Sequence, residues 1–357
     1  MAKTLLTVAG TYRNVKDGSV TVDGVHRKIK SAFQTIGGVY RPCWSAGGGT
    51  LAYYGAITAL SKARQALAAT HVGGYALFAG GFSATNVVDA YDASLTRSTP
   101  TVLSAARYSL VATHVGDYAL FGGGNTGSVV DAYNKSLTRS TPTALSAARN
   151  QAAATHVGDY ALFGGAMGGA TAIDAYDKSL TRNTTASLSR SRWRLAATKV
   201  GNYALFGGGD TANGGIGSAI VEAFDASLTR TTPTELNLAR RYFAATRVGN
   251  YALFGGGKSG NSNTDVVDAY DTALTRSTPT ALSTARADLA ATHLGNYAIF
   301  GGGSSSAVVD AYDESLTRST PNALSAARAE LAATHVGNYA LFGGGVSSAV
   351  VDAYTLV

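Results

Sequence analysis

One phrase is written seven times in this chain. Leu103–Thr143 reads LSAARYSLVATHVGDYALFGGGNTGSVVDAYNKSLTRSTPT, and with small changes the wording recurs until the chain ends. An arginine marks each copy, at Arg64, Arg107, Arg149, Arg192, Arg240, Arg286 and Arg328, spaced by 42 to 48 residues. A period of that size, longer than helical repeat units and rich in short β runs, predicts the blades of a propeller. Function is then expected on a ring and not in a single cleft.

A closed propeller accommodates 357 residues as one unit, although that length would otherwise suggest more than one domain. With 43 glycines, 45% hydrophobic and 14% charged residues, the chain reads as tightly turned and β-rich. The net charge of +7 is uneven. Residues 1–50 hold seven Lys/Arg against Asp17 and Asp23, and the remainder holds 22 basic and 20 acidic residues. The ring is therefore nearly neutral, and no nucleic-acid partner is implied. Cys43 is the single cysteine, which excludes an intrachain disulfide or a cysteine metal cluster. The apolar run before Thr11 is about six residues, short of the roughly 7–15 of a signal-peptide core. No run approaches the ~18 of a membrane span, so neither that export route nor membrane insertion is expected.

Each copy parses into four strands: A at Leu110–Val115, B at Tyr118–Phe121, C at Val129–Tyr133 and D within Ser136–Leu145. Glycine followed by Asn, Asp or Gly joins A to B as a hairpin, and glycines end strand B where unusual φ is needed. Pro100, Pro142, Pro233, Pro279 and Pro321 fall in the D segments, and proline belongs at sheet edges. D is then outermost and A innermost. Blades start near residues 61, 104, 146, 189, 237, 283 and 325. The last copy stops after its C strand, whereas Leu51–Ser61 looks like a D strand with no blade of its own. Pairing the two would close the ring without an open edge. The expected fold is all-β: a seven-bladed propeller over 46–357 closed by an N-terminal outer strand, preceded by a small hairpin module over 1–45.

The glycine doublet after strand B, the tyrosine in strand C and the arginine before strand A resemble the kelch repeat over about residues 52–357. The resemblance implies a β-propeller. The usual kelch tryptophan after strand C is replaced by Leu95, Leu137, Leu180, Leu228, Leu274 and Leu316, which implies lighter packing there. In the N-terminal module, Val20–Val22 and Val25–Arg27 flank Asp23-Gly24, and Gln34–Ile36 and Val39–Arg41 flank Gly37-Gly38, two hairpin signals. The wording DGVHRKIKSAFQTIGGVYR resembles short hairpin repeats at the ends of bacteriophage tail and other virion proteins. That resemblance implies attachment to a phage particle among other virion proteins, in several copies. The ring would then be a distal head for a host cell-surface protein or glycan. The alternative is an intracellular bacterial scaffold for protein–protein interaction, located in the cytoplasm. Cys43 and Trp44 read as packing residues, and Ala46–Thr50 as a flexible joint.

Seven copies in one molecule separate what the blade requires from what it leaves free. Variation concentrates in two places. The first is the pair after each arginine: Gln65-Ala66, Tyr108-Ser109, Asn150-Gln151, Trp193-Arg194, Arg241-Tyr242, Ala287-Asp288 and Ala329-Glu330. The second is the B–C loop, which is longest at Asp210–Ala219 and Lys258–Asp265. In a four-stranded antiparallel blade the D–A and B–C connections share one end, so both regions belong to one face. Tyr108, Asn150, Gln151, Trp193, Arg194, Arg241, Tyr242 and Lys258 form the expected ligand site, centred on blades four and five. Aromatic and arginine side chains suit binding hot spots and sugar stacking. The opposite face is expected to be structural.

No catalytic residue, cofactor or metal is expected. The seven arginines and the strand-C acids Asp89, Asp131, Asp174, Glu222, Asp268, Asp310 and Asp352 repeat too evenly for a catalytic pair, which needs two unlike environments. They read as blade-tying pairs. His71, His114, His156, His293 and His335, with Lys199 and Arg247, share one strand-A position. Metal ligands converge within about 2 Å of an ion, and residues around a seven-blade channel are expected to stand too far apart for that. Substitution by Lys and Arg points instead to a structural, hydrogen-bonding role near the A–B turn, with an anion-binding collar as the alternative. The kelch-like copper oxidases need a crosslinked cysteine, and none lies in the ring.

Overall fold

The computed structural model describes residues 49–357, apart from 83–84, 126 and 212–216, and the backbone of six strands between residues 5 and 45. Seven four-stranded antiparallel sheets form a seven-bladed propeller, and the described residues contain no helix. In blade two the strands are A Val111–Val115, B Tyr118–Gly122, C Val130–Asn134 and D Arg139–Ser140, hydrogen-bonded in that order. Strand A alternates between buried and half-buried positions, as a strand lining a channel should. Strand B is buried on both faces, so Ala119, Leu120 and Phe121 are all inaccessible. That explains why YALF reads as a continuous apolar run.

Aromatic rings pack within each blade. Phe121 of strand B meets Tyr133 of strand C edge-on, with centroids 5.9 Å apart, and the arrangement recurs in other blades. The last residue of strand B explains one of the glycines: a Cβ on Gly122 would stand 2.7 Å from Phe163 of the next blade. Gly123 and Gly124 instead turn the chain, at φ +70° and +98°.

Strand D differs from the sequence expectation. It spans two residues in blades one, two, four, five and six and ends before the proline. In blade three it runs to three, Arg182–Thr184, and Thr185 donates its N–H to Ile173 O at 3.3 Å. Pro142 holds the equivalent place in blade two and has no N–H to give. Proline therefore ends the edge strand and does not lie within it.

Closure follows the expected route. Leu51–Ile57 forms the outer strand of blade seven, paired with Val351–Leu356 from Ile57↔Val351 to Leu51↔Leu356, with a bulge between Ala353 and Tyr354. Thr50 and Val357 then exchange backbone hydrogen bonds of 2.9 and 3.0 Å. At the N-terminus the two expected hairpins are present as Ser19–Val22 with Val25–Lys28 and Ser31–Ile36 with Val39–Ser45. A third, unexpected one pairs Leu5–Val8 with Thr11–Asn14. The side chains of Cys43 and Trp44 and the joint at 46–48 lie outside the described residues.

The arginines do not tie blade to blade through their charges as the sequence leads one to expect: each forms a buried ion pair with the strand-C acid of its own blade. Arg64–Asp89, Arg149–Asp174, Arg192–Glu222, Arg240–Asp268 and Arg286–Asp310 stand at 2.6 to 2.8 Å, and Arg107–Asp131 and Arg328–Asp352 complete the set. The strand-D arginine of each of the first six blades approaches the same carboxylate, at 2.9 to 3.4 Å. Blade seven has no such arginine, and the Tyr53 hydroxyl donates to Asp352 instead, at 2.7 Å. Removing one member of a buried pair strands the other charge, at a cost of about 3–5 kcal/mol. Arg240→Met should therefore lower the thermal unfolding temperature sharply, with part of the loss recovered when Asp268→Leu is added. Tyr53→Phe removes one hydrogen bond to a charged group and should cost about 1–3 kcal/mol, seen as a smaller fall in the same measurement.

Candidate functional site

The variable pairs after the arginines occupy one end of the ring, as expected, and the two members of each pair do different things. The first member bonds outward to the B–C loop. Trp193 and Asp210 exchange backbone hydrogen bonds of 3.2 and 2.7 Å, and Arg241 and Lys258 do so at 3.0 and 2.8 Å. The second member turns inward. Ala66, Ser109, Gln151, Arg194, Tyr242, Asp288 and Glu330 all hold φ between +52° and +57°. Each donates its N–H to the carbonyl of its counterpart in the preceding blade, at 2.8 to 3.4 Å, and Ala66 donating to Glu330 closes the circle. The left-handed conformation costs an L residue about 1–2 kcal/mol, and these seven bonds hold it.

Inside the circle lies a cavity of about 370 Å³. Its floor is apolar, with Leu67, Leu110, Leu195, Phe243, Leu289 and Leu331, and its rim carries Ser109, Gln151, Arg194, Tyr242, Asp288 and Glu330. The rim is polarised. Arg194 lies over the Tyr242 ring at 4.4 Å and pairs with Asp210 at 2.9 Å, while Arg241 reaches the other oxygen of Asp210, also at 2.9 Å. The Lys258 ammonium stands 5.6 Å from the same ring. Tyr242 is thus fixed within a cationic frame that the buried carboxylate of Asp210 organises. Burial pushes the Tyr242 hydroxyl pKa up. It also pushes the Asp288 carboxyl up, with Lys258 opposing and Glu330 adding to the shift. The amide oxygens of Asn150 and Gln151 are buried without a hydrogen-bond partner among the described residues.

Of the eight residues singled out in the sequence, Gln151, Arg194 and Tyr242 line the cavity. Trp193, Arg241 and Lys258 are tied to the blade-four and blade-five loops around them. Tyr108 stands away from this group, against Phe82 at 5.2 Å, and Asn150 is a first-member residue, outside the cavity lining. Most of the long loop Asp210–Ala219 falls on 212–216, outside the described residues. Sequence reasoning missed Asp210 as the organiser. It also missed a further ring formed by the residue after each glycine run, where Phe82, Met167 and Val346 are exposed apolar side chains at 53, 49 and 51%. The available signal was variability at that post-glycine position in all seven copies.

A carboxylate with a raised folded-state pKa destabilises the fold once the pH exceeds its unfolded value, and fully so above the folded one. Asp288→Asn should therefore stabilise the protein near neutral pH. The gain should shrink as the pH falls through the carboxylate range, which unfolding curves across pH would show.

The ring is similar to the solved structure entitled "Structure of YjhT", with 13% sequence identity and a TM-score of 0.57 over 83% of this chain and 95% of that one. At that identity the likeness establishes the fold. No protein-family model matches the sequence, and no curated protein matches it either.

Proposed function

We propose that this protein is a non-catalytic binding head, which takes a host-surface glycan or protein at the circle of second-member residues and is carried on a bacteriophage virion by its basic N-terminal hairpins. The observation that carries the binding reading is a choice of residue. At the far end of each strand A the turn also needs φ near +50°, and all seven copies use glycine there, from Gly73 to Gly337. At the mouth the same φ is required seven times and glycine is never used. Glycine would relieve the backbone cost, so the side chains are kept in spite of it. They also share no packing role, since Ala, Ser, Gln, Arg, Tyr, Asp and Glu all occur.

The cavity matches a saccharide better than a flat protein surface. It offers a framed aromatic ring, the amide of Gln151 and two carboxylates above an apolar floor, the mix that places polar groups around an apolar body. The virion assignment rests on the resemblance of Asp23–Arg41 to tail-protein hairpins.

Glycan-array and host-cell binding by the full chain tests the site. Tyr242→Ala with Gln151→Ala should weaken binding at least about tenfold, as loss of a hot-spot aromatic does, without altering the unfolding temperature of the seven-blade ring by more than a few degrees. Unchanged binding by the folded double variant would reject the site. Absence of the protein from purified particles would reject the virion reading.

A further inference from the structure

The opposite end of the channel carries a second constellation. The fourth residue of each strand A points into it: His71, His114, His156, Lys199, Arg247, His293 and His335, which line a cavity of about 140 Å³ with the alanines and threonines of the same strands. No three of the His, Cys, Asp and Glu side chains among the described residues are placed to hold a metal ion, yet neighbours in this ring do touch. Centroids of neighbouring imidazoles lie 4.1 to 4.4 Å apart along His293, His335, His71, His114 and His156. Arg247 Nη2 reaches His293 Nε2 at 3.0 Å. Strands A are short and innermost, so seven of them bring their side chains into direct contact.

The collar holds no acid. The cavity lining contains no carboxylate, and neither Lys199 nor Arg247 forms an ion pair among the described residues. Lys199 and Arg247 thus share a half-buried space without a counter-charge among the described residues, which is costly unless something negative enters. Among the other described residues, buried arginines are matched by carboxylates, and here the match is missing.

We propose that the collar is a binding site for a small oxyanion of phosphate or sulfate size, held by Lys199 and Arg247 and by imidazole N–H groups. The cavity has room for about four waters at ~30 Å³ each, enough for such an ion. Each neutral imidazole carries one N–H donor, so the ring surrounds the ion with donors on every side. Burial, with repulsion from neighbouring cations, pushes the histidines down, His71 to about 4, His156 and His335 to about 3, and His114 and His293 to about 2. Burial lowers Lys199 and Arg247 as well. A bound anion offsets the repulsion from the neighbouring cations and favours the protonated imidazoles, and so raises their pKa values.

The test is calorimetric titration of the full chain, prepared free of phosphate, with inorganic phosphate and separately with sulfate, and with Zn²⁺ as a competing class. Imidazole titration by NMR, with and without the ion, supplies a second readout. The expected result is one saturable oxyanion site per chain and an upward shift of histidine titration. The unfolding temperature should rise with ion concentration by mass action. Lys199→His with Arg247→His makes the collar uniform with residues the other blades already carry there, and should weaken binding at least about tenfold, a loss of roughly 1.4 kcal/mol. Tyr242→Ala, at the other end, should leave it unchanged. The proposal is overturned by no binding up to about 10 mM ion, where mass action would reveal even a weak site. It also falls if affinity is equal in the double variant, or if Zn²⁺ binds in place of the anion.

Discussion

Everything in this ring depends on the buried arginine that precedes each strand A. Its guanidinium grips its own blade, and its backbone carbonyl accepts a hydrogen bond from the preceding one. Arg107 pairs with Asp131 and donates to Phe121 O and Gly123 O of blade two, while Gly81 of blade one donates to Arg107 O at 3.0 Å. The same backbone link occurs at all seven junctions, ending with Gly345 to Arg64. Burying an ion pair is favourable only when the remaining hydrogen-bonding capacity is met. Here each carboxylate also accepts a backbone N–H, from Ser104 in the case of Asp131, and a second cation or, at Asp352, the Tyr53 hydroxyl. Charge is used to fix geometry, and blade seven reproduces that geometry with a different donor.

Because the junctions carry the fold, the residues just after each arginine are released from it. The circle of backbone hydrogen bonds holds the second-member residues by their main chain alone, whatever side chain they bear. This is why the mouth tolerates seven different residues at one structural position, and why a polarised cavity can be assembled on a nearly symmetric frame. The same reasoning separates the leucines of the C–D turns. They too hold positive φ, +59° to +63°, but every copy is leucine because the side chain packs against the blade core.

The fold was legible because a seven-fold repeat states its own boundaries, and the unpaired strand at Leu51–Ile57 left one closure. The end of the ring that varies was legible for the same reason. What sequence could not show was distance. Strand D reads too long in the sequence because its proline looks like part of the strand and not its end. That neighbouring histidines touch is not written in the repeat, because nothing in a repeat gives the channel width. Asp210 was overlooked because its role arises from Arg194 and Arg241, which belong to different blades and meet only when the ring closes.

The departures from the repeat are not scattered. Blades four and five have the longest B–C loops, and the two widest arginine spacings, 48 and 46 residues, begin in them. They also carry Lys199 and Arg247 in place of histidine, Phe224 in place of the strand-C tyrosine, and the Trp193-Arg194 and Arg241-Tyr242 pairs. Each junction is bonded alike, so a substitution at these positions costs about the same in any blade. Drift would then spread them around the ring. Their confinement to two adjacent blades, at both ends of the channel, marks that sector as the part of the ring shaped by something other than folding.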